Sequence, residues 1–414
     1  MADPATLVVG GGIVGLACAV EAQRRGHAVT LIERDEPGRQ CSFGNAGILA
    51  VSEIFPLITP DRLRMLPRML LSRDAPAVIR VADASRVLPW MLRAATSLSR
   101  VRQDAIIAGL TALNGNAVTA WRNLLADCGA VDLLRERGMI RLVREQTDLA
   151  ELVGIRDRLA RYGFPARLLD HKALRELEPA IGQDVLGGLL HESDADVGDP
   201  LRVSQALCQY FSARGGTIVR ETALTVLADG RGGTVVTDIA SRTADQIWIT
   251  AGMESGKLLA PLGAVVPLQA ERGYHLMLSD SGERLNRPVT FQRESCVATP
   301  MGGMLRLAGT VEFAAQSASP DWSRADRLIR LASRYFDIPL SGEGASRWLG
   351  SRPSLPDSLP AIGRLKRAPA IGYAFGHQHL GVTQAAISAQ LLAQCMGGEA
   401  TVIPAAPYRI DRFG

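Results

Sequence analysis

The chain has 414 residues, 47% of them hydrophobic and 21% charged, which is ordinary globular composition with length for two to three domains' worth of core. A net charge of +4 is too small on a chain this size to argue for nucleic acid as a partner. The six cysteines (Cys18, Cys41, Cys128, Cys208, Cys296, Cys395) contain no CxxC pair, so neither a disulfide scaffold nor a metal site is expected.

The apolar run Ala5–Val9 reads as the first strand, and it starts too close to Met1 for a secretory leader. The apolar stretch 8–19 holds four glycines and is too short to cross a bilayer, so a cytoplasmic, reducing location is expected. Gly10, Gly12 and Gly15 then form GxGxxG before a helix-forming stretch, 16–22, that Gly26 closes. Residues 28–32 read as a second buried strand, which Glu33 ends 18 residues after Gly15. Gly10 suits a tight strand-to-helix turn, Gly12 a close approach to a diphosphate, and Gly15 the packing of helix on sheet. The diphosphate is expected on free amides at the positive end of the helix dipole. Glu33 is placed to accept hydrogen bonds from ribose hydroxyls. The motif alone does not separate FAD from NAD.

After Arg34 the sequence departs from the NAD pattern. Residues 37–47 (Pro-Gly-Arg-Gln-Cys-Ser-Phe-Gly-Asn-Ala-Gly) form a small, polar, glycine-rich loop where a helix normally follows the second strand. Between 54 and 102 nine arginines face three aspartates and alternate with apolar residues, among them Leu66, Met69, Leu88 and Trp90. Such a segment either lies in the interface of an anionic membrane or forms amphipathic helices with solvated arginines. Residues 106–125 read as one helix. Asp199-Pro200 opens another before a strand at 217–219, and residues 246–252 form a buried strand ending in Ala251-Gly252. Stretches 265–277 and 297–310 read as strands of an antiparallel sheet. Gly350-Ser351-Arg352-Pro353, Asp357, Pro360-Ala361-Ile362-Gly363 and the 376–383 run Gly-His-Gln-His-Leu-Gly-Val-Thr close the series.

In this order, from residue 5 to about 395, these stretches resemble the D-amino-acid oxidase/dehydrogenase superfamily of FAD-dependent oxidoreductases. The run Glu271-Arg272-Gly273-Tyr274-His275 is most similar to bacterial dehydrogenases of D-amino acids and D-hydroxyproline-type imino acids. The resemblance implies an α/β fold: a discontinuous Rossmann-type FAD domain (1–60, 195–260, 345–414) and an α+β substrate domain on an antiparallel sheet (61–194, 261–344). It implies FAD held by Gly10, Gly12, Ile13, Val14, Gly15, Glu33, Arg34, Ser42, Asn45, Ala46, Gly47, Ala251, Gly252, Gly381, Val382 and Thr383. Relatives that attach flavin covalently use a Cys after the RP motif; Ser354, Leu355 and Pro356 stand here, so the FAD is expected to be non-covalent. Val382 replaces an aromatic frequent in the family, which puts pocket size in doubt.

The implied reaction is hydride removal from Cα of an amino or imino acid. Arg352 is the expected carboxylate grip, since a guanidinium offers a planar fork that lysine lacks. Tyr274 is the second candidate. Arg272, His275, His377 and His379 are weaker site candidates, and a His among them could take a proton, although a substrate arriving with a neutral amine needs no base. Cys41 reads as packing, with Arg39 its only basic neighbour. Lysine is scarce (Lys172, Lys257, Lys366), whereas oxidases of the superfamily often place one above the flavin, so a dehydrogenase is expected; where the 54–102 segment lies on an anionic membrane, its acceptor is a quinone at the inner face. A 2-hydroxy-acid dehydrogenase, a glycine/sarcosine-type amine oxidase and a non-catalytic flavin-binding subunit are the alternatives.

Overall fold

The computed structural model describes residues 4–59, 75–279 and 284–414. β1 (Ala5–Val9) ends at Gly10, α1 (Ile13–Arg24) follows, and β2 (Ala28–Glu33) returns parallel to β1. After the glycine-rich loop comes the short β3 (Ile48–Leu49). β4 (Ala77–Ile79) precedes three helices, α2 (Ala84–Ala95), α3 (Arg100–Gly115) and α4 (Ala117–Asp127). The one helix expected over 106–125 is therefore two. Asn116 lies between them, and its side-chain Nδ2 donates to Ala112 O, competing for a helix carbonyl.

Next are β5 (Met139–Val143), α5 (Gln146–Ala160), β6 (Ala166–Asp170), α6 (His171–Leu177), β7 (Gly187–His191) and β8 (Ala195–Asp196). Asp199 caps α7 (Pro200–Ala213) by accepting the Leu201 N–H. β9 (Thr217–Arg220) leads to the meander β10 (Ala223–Ala228), β11 (Gly233–Thr237) and β12 (Ser241–Ala244), then to β13 (Gln246–Ile249) and α8 (Ser255–Leu259). β14 (Gln269–Leu278) starts later than the expected residue 265 and is followed by β15 (Val289–Phe291). The strand expected over 297–310 is a hairpin, β16 (Cys296–Met301) and β17 (Met304–Phe313). Gly302 and Gly303, both at positive φ, make its two-residue turn. α9 (Ser323–Ala332), β18 (Ser346–Ser354), β19 (Ala361–Arg364), β20 (Ile371–Phe375) and α10 (Gly381–Gly397) complete the chain's main elements.

Two large sheets result. The first runs β19-β20-β13-β1-β2-β9, parallel except for β19. Leu16, Val20, Val203, Leu207 and Leu391 from α1, α7 and α10 share a core with Val8 and Leu31 on one face. Val226 and Val235 of the meander pack with Leu7, Val9 and Ile249 on the other. This gives three layers, the α/β architecture expected. The second sheet runs β18-β14-β17-β16-β15-β5-β7-β6, with β4 paired to β17, and is mostly antiparallel. Its back face buries Leu276, Leu305 and Leu307 against Ala325 and Leu328 of α9.

The domain division expected at 345 does not follow the sheets. β18 pairs with β14 from Gln269↔Ser354 to Met277↔Ser346, so the RP strand belongs to the second sheet. Much of the arginine-rich segment, including Leu66 and Met69, falls on residues 60–74, outside the described residues. Among the described residues no helix is long and apolar enough to cross a membrane.

Candidate active site

A cleft of about 2320 Å³ is walled by both sheets. Ordinary small-molecule pockets hold roughly 300–1,000 Å³, so there is room for a dinucleotide and a second small molecule.

At one end the cleft meets the amide end of α1. Gly10 sits at φ +106°, a conformation that favours glycine, and its N–H donates to Ile32 O. Gly12, Ile13 and Val14 line the cleft, and no side chain caps the helix at Gly12. Ser42 Oγ reaches across to accept the Ile13 N–H at 2.9 Å. The buried Glu33 carboxylate accepts Gly11 N–H at 2.5 Å and Asp35 N–H at 3.0 Å. Its charge is thus held on backbone donors beside the helix rather than in the path of a diphosphate. Arg34, Ala251 and Gly252 line the same end. Two expected contacts are not on the cleft wall. A Cβ on Gly15 would stand 1.8 Å from Gly10 O, and one on Gly47 2.0 Å from Gly198 O. Both glycines permit close backbone packing and act as scaffold.

Further along, the glycine-rich loop is fastened to the start of α10. Asn45 Nδ2 donates to His379 O at 3.1 Å, and its Oδ1 accepts Gly47 N–H. Thr383 Oγ1 accepts Ala50 N–H at 3.1 Å and donates to Ile48 O at 3.2 Å. Asn45, Ala46, Gly381, Val382 and Thr383 all face the cleft. The donor set therefore fits FAD: the start of α1 with the Ser42 hydroxyl for the diphosphate, an acid at the sugar end, and a second helix start for the ring.

The RP strand brings Arg352 to the cleft wall. Its Nη1 donates to Glu271 Oε1 at 3.1 Å, and Ser354 Oγ donates to Glu271 Oε2 at 2.7 Å. Strand alternation decides which residues of β14 join it. Glu271 lines the cleft, and a Cβ on Gly273 would lie 2.3 Å from Arg352 Nη2. Tyr274 points the other way, toward α9: it packs against Trp322, donates to Glu312 Oε2 at 2.9 Å and accepts Asp321 N–H at 3.0 Å. Arg272 pairs with the same Glu312 at 3.1 Å. Neither lines the cleft, which corrects both expectations.

The histidines divide similarly. His275 is stacked on Trp348, its Nδ1 is within 3.2 Å of Gly44 O, and it is not on the cleft wall. His377 does line the cleft, but its Nε2 is engaged with Ser388 Oγ at 2.9 Å. Burial pushes the pKa of each down to about 3. His379 lines the cleft, half-buried. Cys41 also lines it; burial pushes its thiol up to about 11, and its cationic neighbour is Arg352, while Arg39 is turned to Glu36.

Three functional candidates escaped the sequence reading. Glu271 was visible only as part of a run. Arg306, buried on β17, donates from Nη1 to Phe43 O and Asn45 O at 2.6 and 2.5 Å, holding the loop from behind. His191 ends the buried strand β7 and lines the cleft; a lone His closing an apolar run was the available signal.

The family model for FAD dependent oxidoreductases, DAO, matches residues 5–395. A D-amino-acid oxidase of Bradyrhizobium diazoefficiens is 31% identical, covering 98% of each chain. A D-amino acid dehydrogenase of Rhizobium johnstonii is 29% identical over 99% of each. Glycine oxidase from Geobacillus kaustophilus shares the fold with TM-score 0.75 at 20% identity, covering 98% of each chain.

Proposed function

The chain belongs to the family of FAD-dependent oxidoreductases, and from that premise we propose that it is a dehydrogenase oxidising the Cα–N bond of a D-amino acid or a cyclic imino acid of the D-proline type. The observation that carries this reading is Arg352 on the cleft wall, steadied by buried Glu271. One hydrogen bond to Glu271 leaves most of the five N–H donors of the fork for a substrate carboxylate. Bound FAD supplies the acceptor for the hydride leaving Cα. Gly12, Ile13, Val14 and Ser42 hold its diphosphate, Glu33, Arg34, Ala251 and Gly252 its adenosine end, and Asn45, Ala46 and residues 381–383 its ring. The names of the two relatives support an amino acid over a 2-hydroxy acid as substrate.

A quinone is the acceptor in this reading. Lys257 lines the cleft at the adenosine end, beside Gly252, and its Nζ donates to Glu254 at 2.6 Å, so it is not a lysine over the ring. α2 carries Trp90 on the cleft wall and Leu88 and Leu92 exposed on its other side, with exposed Val81 and Val101 nearby in sequence and Arg86 and Arg93 between. An apolar edge with interspersed arginines suits the surface of an anionic membrane.

The test is anaerobic bleaching of the flavin by D-alanine, D-proline, D-hydroxyproline, glycine, sarcosine and D-lactate. D-amino or imino acids should reduce it fastest; reduction by D-lactate alone would replace the reading with 2-hydroxy-acid oxidation. Rapid peroxide formation in air without added acceptor would make the enzyme an oxidase.

A further inference from the structure

We infer that His191, Ser52 and Asp194 form a proton relay in which His191 Nε2 takes the proton from the substrate's ammonium group. This rests on the amine-oxidation reading above. A protonated amine has no lone pair to expel a hydride from Cα, so a proton must leave before oxidation. Of the histidines that sequence suggested for this, His275 is turned away from the cleft and His377 is engaged at Nε2.

His191 is 1% exposed and lines the cleft. Its Nδ1 lies 2.9 Å from Ser52 Oγ, and Ser52 Oγ donates to Asp194 Oδ2 at 3.0 Å. Ser52 N–H donates to the other oxygen, Asp194 Oδ1, at 2.9 Å. With Asp194 in its carboxylate form, the state that can receive a proton, the hydroxyl's one proton is directed to it. His191 Nδ1 must then be the protonated nitrogen, donating to Ser52 Oγ. Nε2, across the ring, is left with a lone pair, and it has no hydrogen-bond partner. A buried polar atom without a partner is costly in a folded protein unless something else meets it. The hydroxyl stands between imidazole and carboxylate, which is the order of a relay and not of a nucleophilic serine.

The step balances. An N–H bond of the ammonium breaks, its electron pair stays on nitrogen, and a new N–H bond forms at His191 Nε2. Nδ1 passes its proton to Ser52 Oγ, which passes its own to Asp194 Oδ2. The imidazole ends neutral in the other tautomer, Asp194 ends as the acid, and no net charge is created on the ring. Burial supports this division of labour. It pushes His191 down to about 3, against a resident imidazolium, and raises Asp194 to about 7, within reach of accepting a proton. The charged groups facing the pair are Arg141 on β5 and Glu53 beside Ser52, joined to each other at 2.8 Å. Arg141 opposes protonation of both groups and Glu53 favours it.

The relay and Arg352 are fixed to one short stretch of chain. Ala50, two residues before Ser52, bonds Thr383, and Ser354, two residues after Arg352, bridges to His377.

The experiment uses holoenzyme in two readouts. Stopped-flow flavin reduction by D-alanine and D-proline is followed against pH for wild type, His191→Asn, Ser52→Ala and Asp194→Asn. His191→Asn should slow reduction at neutral pH on the order of 10²–10⁴-fold, recovering in alkali where the amine is free, while affinity for propionate, which has no amine, stays unchanged. A wild-type pH profile in His191→Asn and Asp194→Asn overturns the relay while leaving the amine-oxidation reading intact. If His191→Asn does not fold, Ser52→Ala carries the same comparison. In the second readout, ¹⁵N spectra of labelled histidine report the tautomer of His191. Binding of α-aminoisobutyrate, which lacks a Cα hydrogen, should move the proton from Nδ1 to Nε2, and propionate should not. A ring already protonated at Nε2, or one that α-aminoisobutyrate leaves unchanged, overturns the relay. A tautomer switch in an enzyme that no D-amino acid bleaches supports the relay and sinks the substrate reading instead.

Discussion

Replacing Arg352 by Ala separates what the guanidinium does for the substrate from what it does for the protein. The side chain is 21% exposed, but its partner Glu271 is only 3% exposed, so the carboxylate is the group left stranded. Breaking a buried pair from one side costs roughly 3–5 kcal/mol. Ser354 Oγ still donates to Glu271, so the loss of stability should fall at the low end, about 3 kcal/mol. For the substrate, two charge-assisted hydrogen bonds at about 1.5–3 kcal/mol each disappear. At about 1.4 kcal/mol per factor of ten, kcat/KM should drop at least about a hundredfold. The assay pairs urea melts with anaerobic flavin reduction in Arg352→Ala and in the double variant with Glu271→Gln. The second change removes the stranded charge, so stability should return toward wild type while kcat/KM stays low. A kcat/KM within about threefold of wild type in Arg352→Ala would remove this arginine from substrate binding.

Gly273→Ala puts a Cβ against Arg352 Nη2 without touching its charge, so KM should rise about tenfold with FAD retained; an unchanged KM would mean that the fork's position is unimportant. Arg306→Met removes both hydrogen bonds from Nη1 to the loop carbonyls of Phe43 and Asn45, so FAD should dissociate during gel filtration that wild type survives. Acid precipitation should leave flavin in the supernatant, because burial pushes the thiols on the cleft wall, Cys41 and Cys296, up to about 11 and 12 and neither is a ready nucleophile; flavin in the pellet would refute this. Stability should fall on acidification. Burial lowers His191, His275 and His377 to about 3, below roughly 6.5 in the unfolded chain, so the stability they contribute is intact above about 6.5 and is lost as pH falls toward 3. Asp194, raised by burial to about 7 from roughly 3.9, has the opposite sign: its contribution is full below about 3.9 and lost as pH rises through 7. Three imidazoles outweigh one carboxyl, so urea midpoints should drop between pH 7 and 4, more steeply in Asp194→Asn; a rise in wild type would contradict the assignment.

The cofactor end was legible because its signals are local. Strand, glycines, helix and terminal acid lie within 29 residues, from Ala5 to Glu33, and each answers a backbone requirement that few residue types meet. The substrate end was not legible in the same way. β14 is buried on both faces over all ten residues, so hydrophobic alternation gives no clue that Glu271 meets the cleft while Arg272, Tyr274 and His275 do not. Arg352 was identifiable from its neighbours in sequence, its partner was not. The relay is harder still: Ser52 and His191 are 139 residues apart, and the pairing of β3 with β8 brings their loops together. The hairpin at Gly302-Gly303 had a readable turn signal, whereas the break at Asn116 depended on a side chain choosing its own helix's carbonyl.

The first turn of α10 explains why these separate devices work as one site. α10 is buried along most of its length, so its position is fixed by packing on α1 and the first sheet and not by the cleft. From that anchor Thr383 holds the end of the glycine-rich loop, the carbonyl of His379 holds Asn45, and His377 bridges to the end of the RP strand. The loop, the carboxylate grip and Ser52 are therefore referenced to a single rigid element, although they come from different sheets. Hydride transfer tolerates little misplacement of the reacting atoms, and a shared anchor lets the cofactor loop and substrate groups keep register even if the two sheets shift slightly against each other.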